Sequence, residues 1–376
     1  MLLTDYFPPH VGGGVERVVS ELVDGLGQRG HTIGVLTLQT CPAPATETNE
    51  SLTIRRVPAV DLTQRLGLQQ AVSVRLLGAT ARFIRGFQPD MVHAHNLFFR
   101  TTEVAAFLRM KFRVPLVTTM HVGQSEGGSR LFRTLVKAYE STMGRFIVRR
   151  SDHIIAVAQA VAEHAHRIGG NSASVTVVPN GVDTGLFYPK QDDRHIGQVV
   201  LFVGRLVSNK GPEVLIRAVP KVLSRHPHTR FVLVGDGPLR DRLKQMACNL
   251  GIRNEVQFLG IRHDVPQLMR DAAIFVRPSS LEGMSLTVLE AMATGLPVVA
   301  TLVGGTSEVL RDGVHGYLVP AGDSQVLADA LIKMLDERSL AEEMGRRGRE
   351  LVVSNYKWDA VVNKTESVYF EEVSRR

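Results

Sequence analysis

Ser279-Ser280-Leu281-Glu282-Gly283-Met284-Ser285-Leu286-Thr287-Val288-Leu289-Glu290-Ala291-Met292-Ala293-Thr294-Gly295-Leu296-Pro297-Val298-Val299-Ala300 reads in unbroken order as a strand end, a polar loop, a helix and the next strand. Ala273 to Val276 just before it is a short apolar run of the buried-strand kind, and Leu286, Leu289, Ala293 and Leu296 fall at helical spacing. Ser285 is placed to cap that helix, and Gly295 with Pro297 ends it. Gly283, Met284, Ser285 and Leu286 therefore stand at a helix N-terminus, where unpaired backbone N–H groups and the positive end of the dipole favour a phosphate. Glu282 lies beside that point and Glu290 two turns in. Taken singly, Glu290 reads equally as a surface helix residue and Glu282 as a turn residue.

Two glutamates with seven residues between them, followed by Ala-Met-Ala-x-Gly-x-Pro-Val-Val-Ala, closely resemble the signature of the retaining nucleotide-sugar glycosyltransferases of family 4. The resemblance implies an α/β protein of the GT-B type: two Rossmann-like domains facing across a cleft, with a C-terminal helix crossing back to the N-terminal domain. It also implies that Glu282 faces the hydroxyls of a donor sugar and Glu290 those of a ribose. The expected division is an acceptor-binding domain over 1–188, a nucleotide-sugar-binding domain over 189–354 and a terminal helix over 355–376.

Composition agrees with two domains. A chain of 376 residues, 44% of them hydrophobic, can bury two ordinary cores. Cys41 and Cys248 lie far apart, so neither a disulfide framework nor a metal cluster is indicated, and a reducing cytoplasm is the simplest setting. Met1-Leu2-Leu3-Thr4 meets Asp5 at once, and no run approaches the length of a membrane span, so neither a leader nor an anchor is expected. The net charge of +7 is uneven: Arg65 to Arg150 holds fourteen Lys or Arg against Asp90, Glu103, Glu126 and Glu140. Such an excess suits an anionic membrane surface, a phosphorylated acceptor or simply solvated helix faces. Nucleic acid is not expected, since no binding motif surrounds these residues. A peripheral position at the inner face of the cytoplasmic membrane stays open.

In chain order, Met1 to Asp5 reads as a first strand, and the loop ending in Gly12, Gly13 and Gly14 leads into a helix from Val15 to about Arg29. Strand, glycine loop and helix make a Rossmann-type unit whose backbone can approach a ligand closely. The loop is not Gly-x-Gly-x-x-Gly, so a dinucleotide reading is weak. It resembles the family's first glycine loop, which implies a place for Gly13 and Gly14 beside the donor phosphates. His31 to Leu38 and Leu52 to Val57 read as strands. Gln70 to Gly86 reads as an amphipathic helix with Val72, Leu76, Leu77 and Phe83 on its apolar positions, and it carries Arg75, Arg82 and Arg85. His93 and His95 end the next strand but have no third ligand nearby, so they read as pocket wall or core rather than metal site. His121 ends a further strand, Val114 to Met120, and the resemblance places it near the donor sugar. Gly127 to Arg150 reads as a long basic helix or helix pair.

Pro179 to Asp183 resembles the family's inter-domain junction, and Pro189 to Gly197 reads as a linker. Val199 to Val203 then opens the second domain. Gly204-Arg205-Leu206 and Lys210-Gly211 follow before a helix beginning near Pro212, where proline suits the first turn. Arg205 and Lys210 at a strand end suit a diphosphate that gains charge as it leaves, and their pattern matches the family's pyrophosphate-binding pair. From Asp323 the chain reads as helices to its end.

A retaining glycosyltransferase follows from the resemblance. It would use a UDP or GDP sugar as donor and a lipid-linked, saccharide or small-molecule hydroxyl as acceptor. The catalytic set would be Glu282, His121, Arg205 and Lys210, with Gly13, Gly14, Gly204, Gly283, Met284, Ser285, Leu286 and Glu290 lining the donor. No covalently bound cofactor and no metal is expected, since no Asp-x-Asp occurs. A nucleotide-sugar epimerase of the same fold and a non-catalytic scaffold of a polysaccharide assembly complex stay open beside it.

Overall fold

The structure, a computed structural model, describes residues 1–10, 13–63, 70–123, 130–169, 175–190 and 198–375, with the backbone alone at 130 and 132. Val11, Gly12 and Arg65, the start of the expected basic helix at 127–129, and most of the expected linker, 191–197, lie outside these residues. The chain forms two compact units, Met1–Asn180 with Trp358–Arg376, and Gly181–Lys357. One division thus falls inside the Pro179 to Asp183 turn.

The first unit is built on an eight-stranded sheet from β1 (Leu2–Leu3), β2 (Ile33–Gln39), β3 (Thr46–Thr48), β4 (Leu52–Pro58), β7 (Val92–His95), β8 (Leu116–Met120), β9 (His153–Ala156) and β10 (Val175–Val177), in the order β10-β9-β8-β7-β1-β2-β4-β3. All pairings are parallel except β3 with β4. β7, β8 and β9 are buried along their whole length, as strands covered by helices on both faces must be. A separate hairpin pairs β5 (Val60–Asp61) with β6 (Ala71–Val72).

That hairpin corrects one expectation. The amphipathic helix runs from Leu76 to Phe87, not from Gln70, because Ala71 and Val72 are held in the hairpin. Leu76, Ala79, Thr80, Phe83 and Ile84 form its buried face, while Val72 and Leu77 are exposed. Of the two readings of the basic stretch, the helix pair is the one found: Arg130–Tyr139 passes through a π turn at Glu140–Gly144 into Arg145–Arg150. The first helix spans Gly14–Gly27 with Gly13 at its N-cap.

The last helix, Trp358–Ser374, belongs to the first unit. Glu366 accepts hydrogen bonds from Arg29 and His31, and Glu372 pairs with His153 at 3.1 Å. No helix among the described residues is long and apolar enough to cross a membrane.

The second unit carries six parallel strands, β11 (Val199–Val203), β12 (Arg230–Val234), β13 (Val256–Gly260), β14 (Ile274–Arg277), β15 (Val298–Thr301) and β16 (Gly316–Val319), ordered β13-β12-β11-β14-β15-β16. Phe202, Leu215, Val219, Phe231, Leu233 and Leu331 are among its fully buried core residues. In such an order the chain leaves β11 towards one edge of the sheet and returns at β14 to build the other. The adjacent carboxyl ends of β11 and β14 are therefore the switch point at which open α/β sheets bind ligands.

Candidate functional site

Each compact unit places its own share of the expected residues. In the second unit they gather at the switch point. β11 ends at Val203 and delivers Gly204 and Arg205, and a single 3-10 turn, Ser208–Lys210, presents Lys210. β14 ends at Arg277 and is followed by the loop that carries Glu282, with the helix Leu286–Ala293 behind it.

Glu282 is 6% exposed and both of its oxygens are engaged. Lys210 Nζ donates to Oε2 at 2.9 Å. Arg277 Nε and Ser279 Oγ donate to Oε1 at 2.8 and 2.7 Å. Burial pushes the Glu282 carboxyl up, but the Arg277 and Lys210 charges more than offset this and hold it at about 2. Burial brings the Lys210 ammonium down to about 8, with the Glu282 charge opposing and the Arg277 and Arg205 charges assisting. Lys210 is thus cationic at neutral pH but titrates only slightly above it.

Arg277 was not singled out from the sequence. It is 5% exposed, lies over the Phe202 ring at 5.8 Å, and donates from a terminal nitrogen to the Val203 carbonyl at 2.8 Å. Its signal was a charged residue directly continuing a buried-strand run. Two glycines make the cluster possible. A Cβ on Gly204 would lie 2.3 Å from that terminal nitrogen of Arg277. Gly211 has φ +69°, and a Cβ there would lie 1.9 Å from the Pro278 carbonyl oxygen. The Ser280 N–H donates to the Asn209 carbonyl at 3.0 Å, which further joins the Lys210 turn to the Glu282 loop.

Gly283, Met284, Ser285 and Glu290 are buried and Leu286 is half-buried. Burial of Glu290 at 4% rules out the surface-helix reading of that residue. Ser285 stands at the N-cap, as its sequence position suggests, but its side chain makes no capping bond and lies 3.1 Å from the Thr287 hydroxyl instead.

In the first unit, Gly13 and Gly14 are exposed at a helix N-terminus. His121 follows β8 and is half-buried, with Nε2 3.2 Å from His95 Nδ1. The His95 and His93 rings are themselves 4.1 Å apart, and His93 bridges the Tyr369 and Thr119 hydroxyls. Burial lowers all three imidazoles, His93 and His121 to about 3, so this cluster is neutral at physiological pH. His93 and His95 are core residues, and among the described residues no group of three His, Cys, Asp or Glu is placed to hold a metal ion.

Comparison with known proteins covers both units. The model described as glycosyl transferases group 1 matches residues 189–351, and that of glycosyltransferase family 4 matches residues 12–186. A D-inositol 3-phosphate glycosyltransferase from Acidothermus cellulolyticus is 30% identical over 97% of this chain and 87% of its own length. The fold is similar to that of sucrose-phosphate synthase from Thermosynechococcus elongatus, with a TM-score of 0.87 at 23% identity over 100% of this chain and 99% of that one. It is also similar to Anabaena HepE in complex with UDP-glucose, with a TM-score of 0.78 at 23% identity over 97% and 98% of the two chains.

Proposed function

The chain belongs to the family 4, group 1 glycosyltransferases of GT-B fold, and we propose that it transfers a sugar from a UDP or GDP sugar to an acceptor hydroxyl with retention of anomeric configuration. The observation that carries the donor assignment is the Lys210–Glu282–Arg277 cluster at the switch point of the second unit, beside a helix N-terminus. The UDP-glucose bound to HepE supports a nucleotide sugar as the ligand class.

Transfer breaks the bond between the anomeric carbon and the diphosphate, and negative charge grows on the departing phosphate. Arg205 and Lys210 stabilise that charge, and the backbone N–H groups at Gly283 to Leu286 add to it. Glu282 has a second task. It holds Lys210 and Arg277 in place, and its remaining lone pairs accept from the sugar's hydroxyls. Glu290 is assigned to the ribose hydroxyls, Gly204 to the close approach of the phosphates, and Gly13 and Gly14 to the first unit's share of them. His121 positions the sugar as a neutral imidazole, able to donate or accept a hydrogen bond. The departing phosphate assists deprotonation of the acceptor, so no carboxylate nucleophile is assigned. The first unit takes the acceptor, in lipid, polysaccharide or glycoconjugate synthesis of the cell envelope, and its basic excess faces an anionic membrane surface from the cytoplasmic side.

A panel of UDP and GDP sugars, incubated with and without a cell-envelope lipid extract, tests this reading by nucleoside diphosphate release and by NMR of the product's anomeric proton. Acceptor-dependent release with one base, giving a product of the donor's own anomeric configuration, is expected. Conversion of one nucleotide sugar into another without acceptor, or an inverted product, would overturn it.

A further inference from the structure

Away from the switch point, the first unit holds a second cationic site. A cavity of about 240 Å3 lies between β4 and the helix Leu76–Phe87, and Arg55, Arg56, Arg75 and Arg82 line it with Thr46 and Pro58. No Asp or Glu is among the residues that line it, and the adjacent Glu47 is taken by Arg56. Arg56 is committed elsewhere: it donates to the Pro44 and Pro8 carbonyls at 2.9 and 2.8 Å and pairs with Glu47. Arg55, Arg75 and Arg82 have no ion pair among the described residues. Arg82 folds back along its helix over Gly78, where a Cβ would sit 3.5 Å from a guanidinium nitrogen. Arg75 stands at the N-cap of the same helix, two turns before Arg82 and therefore on the same side.

Three guanidinium groups share one cavity; Glu47 is paired with Arg56, and no ion pair among the described residues offsets the charge of the three. A tetrahedral anion does, because guanidinium forks match phosphate oxygens two at a time. The volume is several times the roughly 30 Å3 that one water occupies in the liquid, so a phosphate fits with some of its hydration. We propose that this cavity binds the phosphate group of a monoester or diester, and that it is an anion site separate from the donor diphosphate.

The surroundings suit a phosphate carried on a lipid. Val60 and Val72, paired across the β5–β6 hairpin, are exposed, as are Val74 and Leu77. Ser73 Oγ donates to the Pro58 carbonyl at 2.6 Å and so joins this apolar rim to the cavity wall. A headgroup in the cavity would leave its acyl region against these side chains. A soluble phosphate ester would use the same arginines and leave the rim wet. The site gives the proposed anionic-surface partner a location, and it rests on none of the donor-site assignments.

Two measurements on the full chain test it. Titration calorimetry with inorganic phosphate is run in a Lys210→Ala background, which removes one of the cations of the other phosphate-sized site. Flotation is run with vesicles of phosphatidylcholine alone and of phosphatidylcholine mixed with phosphatidylglycerol. Arg55→Gln/Arg82→Gln is compared with Lys137→Gln/Arg149→Gln, which removes the same number of charges from the same unit. Phosphate binding weakened about tenfold or more by the first pair and kept by the second is expected. If anionic vesicles follow the same pattern, the source is a headgroup; if only phosphate does, it is a soluble ester. No phosphate binding by the parent, or equal loss from both pairs, would overturn the proposal. UDP binding by the chain with an intact Lys210 reports on the donor site independently, so the two readings fail separately.

Discussion

Replacing Glu282 by Gln keeps the side chain's size and removes the charge that Arg277 and Lys210 share. In the folded chain that carboxyl is held at about 2, against an ordinary value of 4.5. The difference is 4.5 − 2 = 2.5 pH units, and at 1.36 kcal/mol per unit it corresponds to about 3 kcal/mol. Because the folded value is the depressed one, this stabilisation is fully present above about pH 4.5 and is lost as pH falls towards 2. An independent expectation agrees: removing one partner of a buried ion pair costs ~3–5 kcal/mol, since the remaining charge stays buried. Arg277 would be the stranded charge, at 5% exposure. Urea unfolding from pH 7 down to about pH 2.5, read by amide exchange at Phe202 to Leu206, reports on the second unit alone; a global midpoint would mix two units that need not unfold together. Glu282→Gln is expected to weaken that unit by about 3 kcal/mol at neutral pH, with the gap closing below pH 4.5. A gap under about 1 kcal/mol at pH 7, or one that does not change with pH, would refute the reasoning.

Other outcomes follow from the same geometry. Lys210 loses its proton near 8, so affinity for UDP should fall as pH rises from about 7 to about 9.5, and Lys210→Arg, which stays charged, should flatten the curve; calorimetry at each pH checks this. Gly211→Ala should destabilise by ~2 kcal/mol or more, because the position has φ +69° and its Cβ would meet the Pro278 carbonyl at 1.9 Å; a melting temperature equal to the parent's would contradict that close approach. Tyr369→Phe removes the hydroxyl that meets buried His93 Nδ1, so a loss of ~1–3 kcal/mol is expected in urea unfolding of the first unit, with UDP binding unchanged.

Much of the second unit was readable because its strands are short, largely apolar and separated by helices, so that their carboxyl ends mark the ligand edge. Glu282 and Lys210 could be found by their places at strand ends and beside a helix N-terminus. Arg277 could not, since a charge after Val276 reads as a strand emerging into solvent; its burial depends on room that Gly204 leaves, 73 residues earlier, and on the Val203 carbonyl. Ser285 had the sequence position of a cap, but whether its hydroxyl turned inward depended on Thr287. Val72 fell at helical spacing with Leu76 and Phe83, and cross-strand pairing with Val60 overrode that period. The histidine pairs with the last helix were beyond reach for another reason: His153 and Glu372 are 219 residues apart, and no local pattern joins them.

The donor site is tested most directly by a thermal-shift screen of the wild-type chain and Lys210→Ala against UDP, GDP, ADP and their sugar conjugates. A ligand at a hundred times its Kd adds about 2.7 kcal/mol to the folded state it binds. A rise in melting temperature with one nucleotide series, lost in Lys210→Ala, is the predicted result; an equal rise in the variant, or none with any nucleotide, would contradict the assignment of the Lys210–Glu282–Arg277 cluster as the donor diphosphate site.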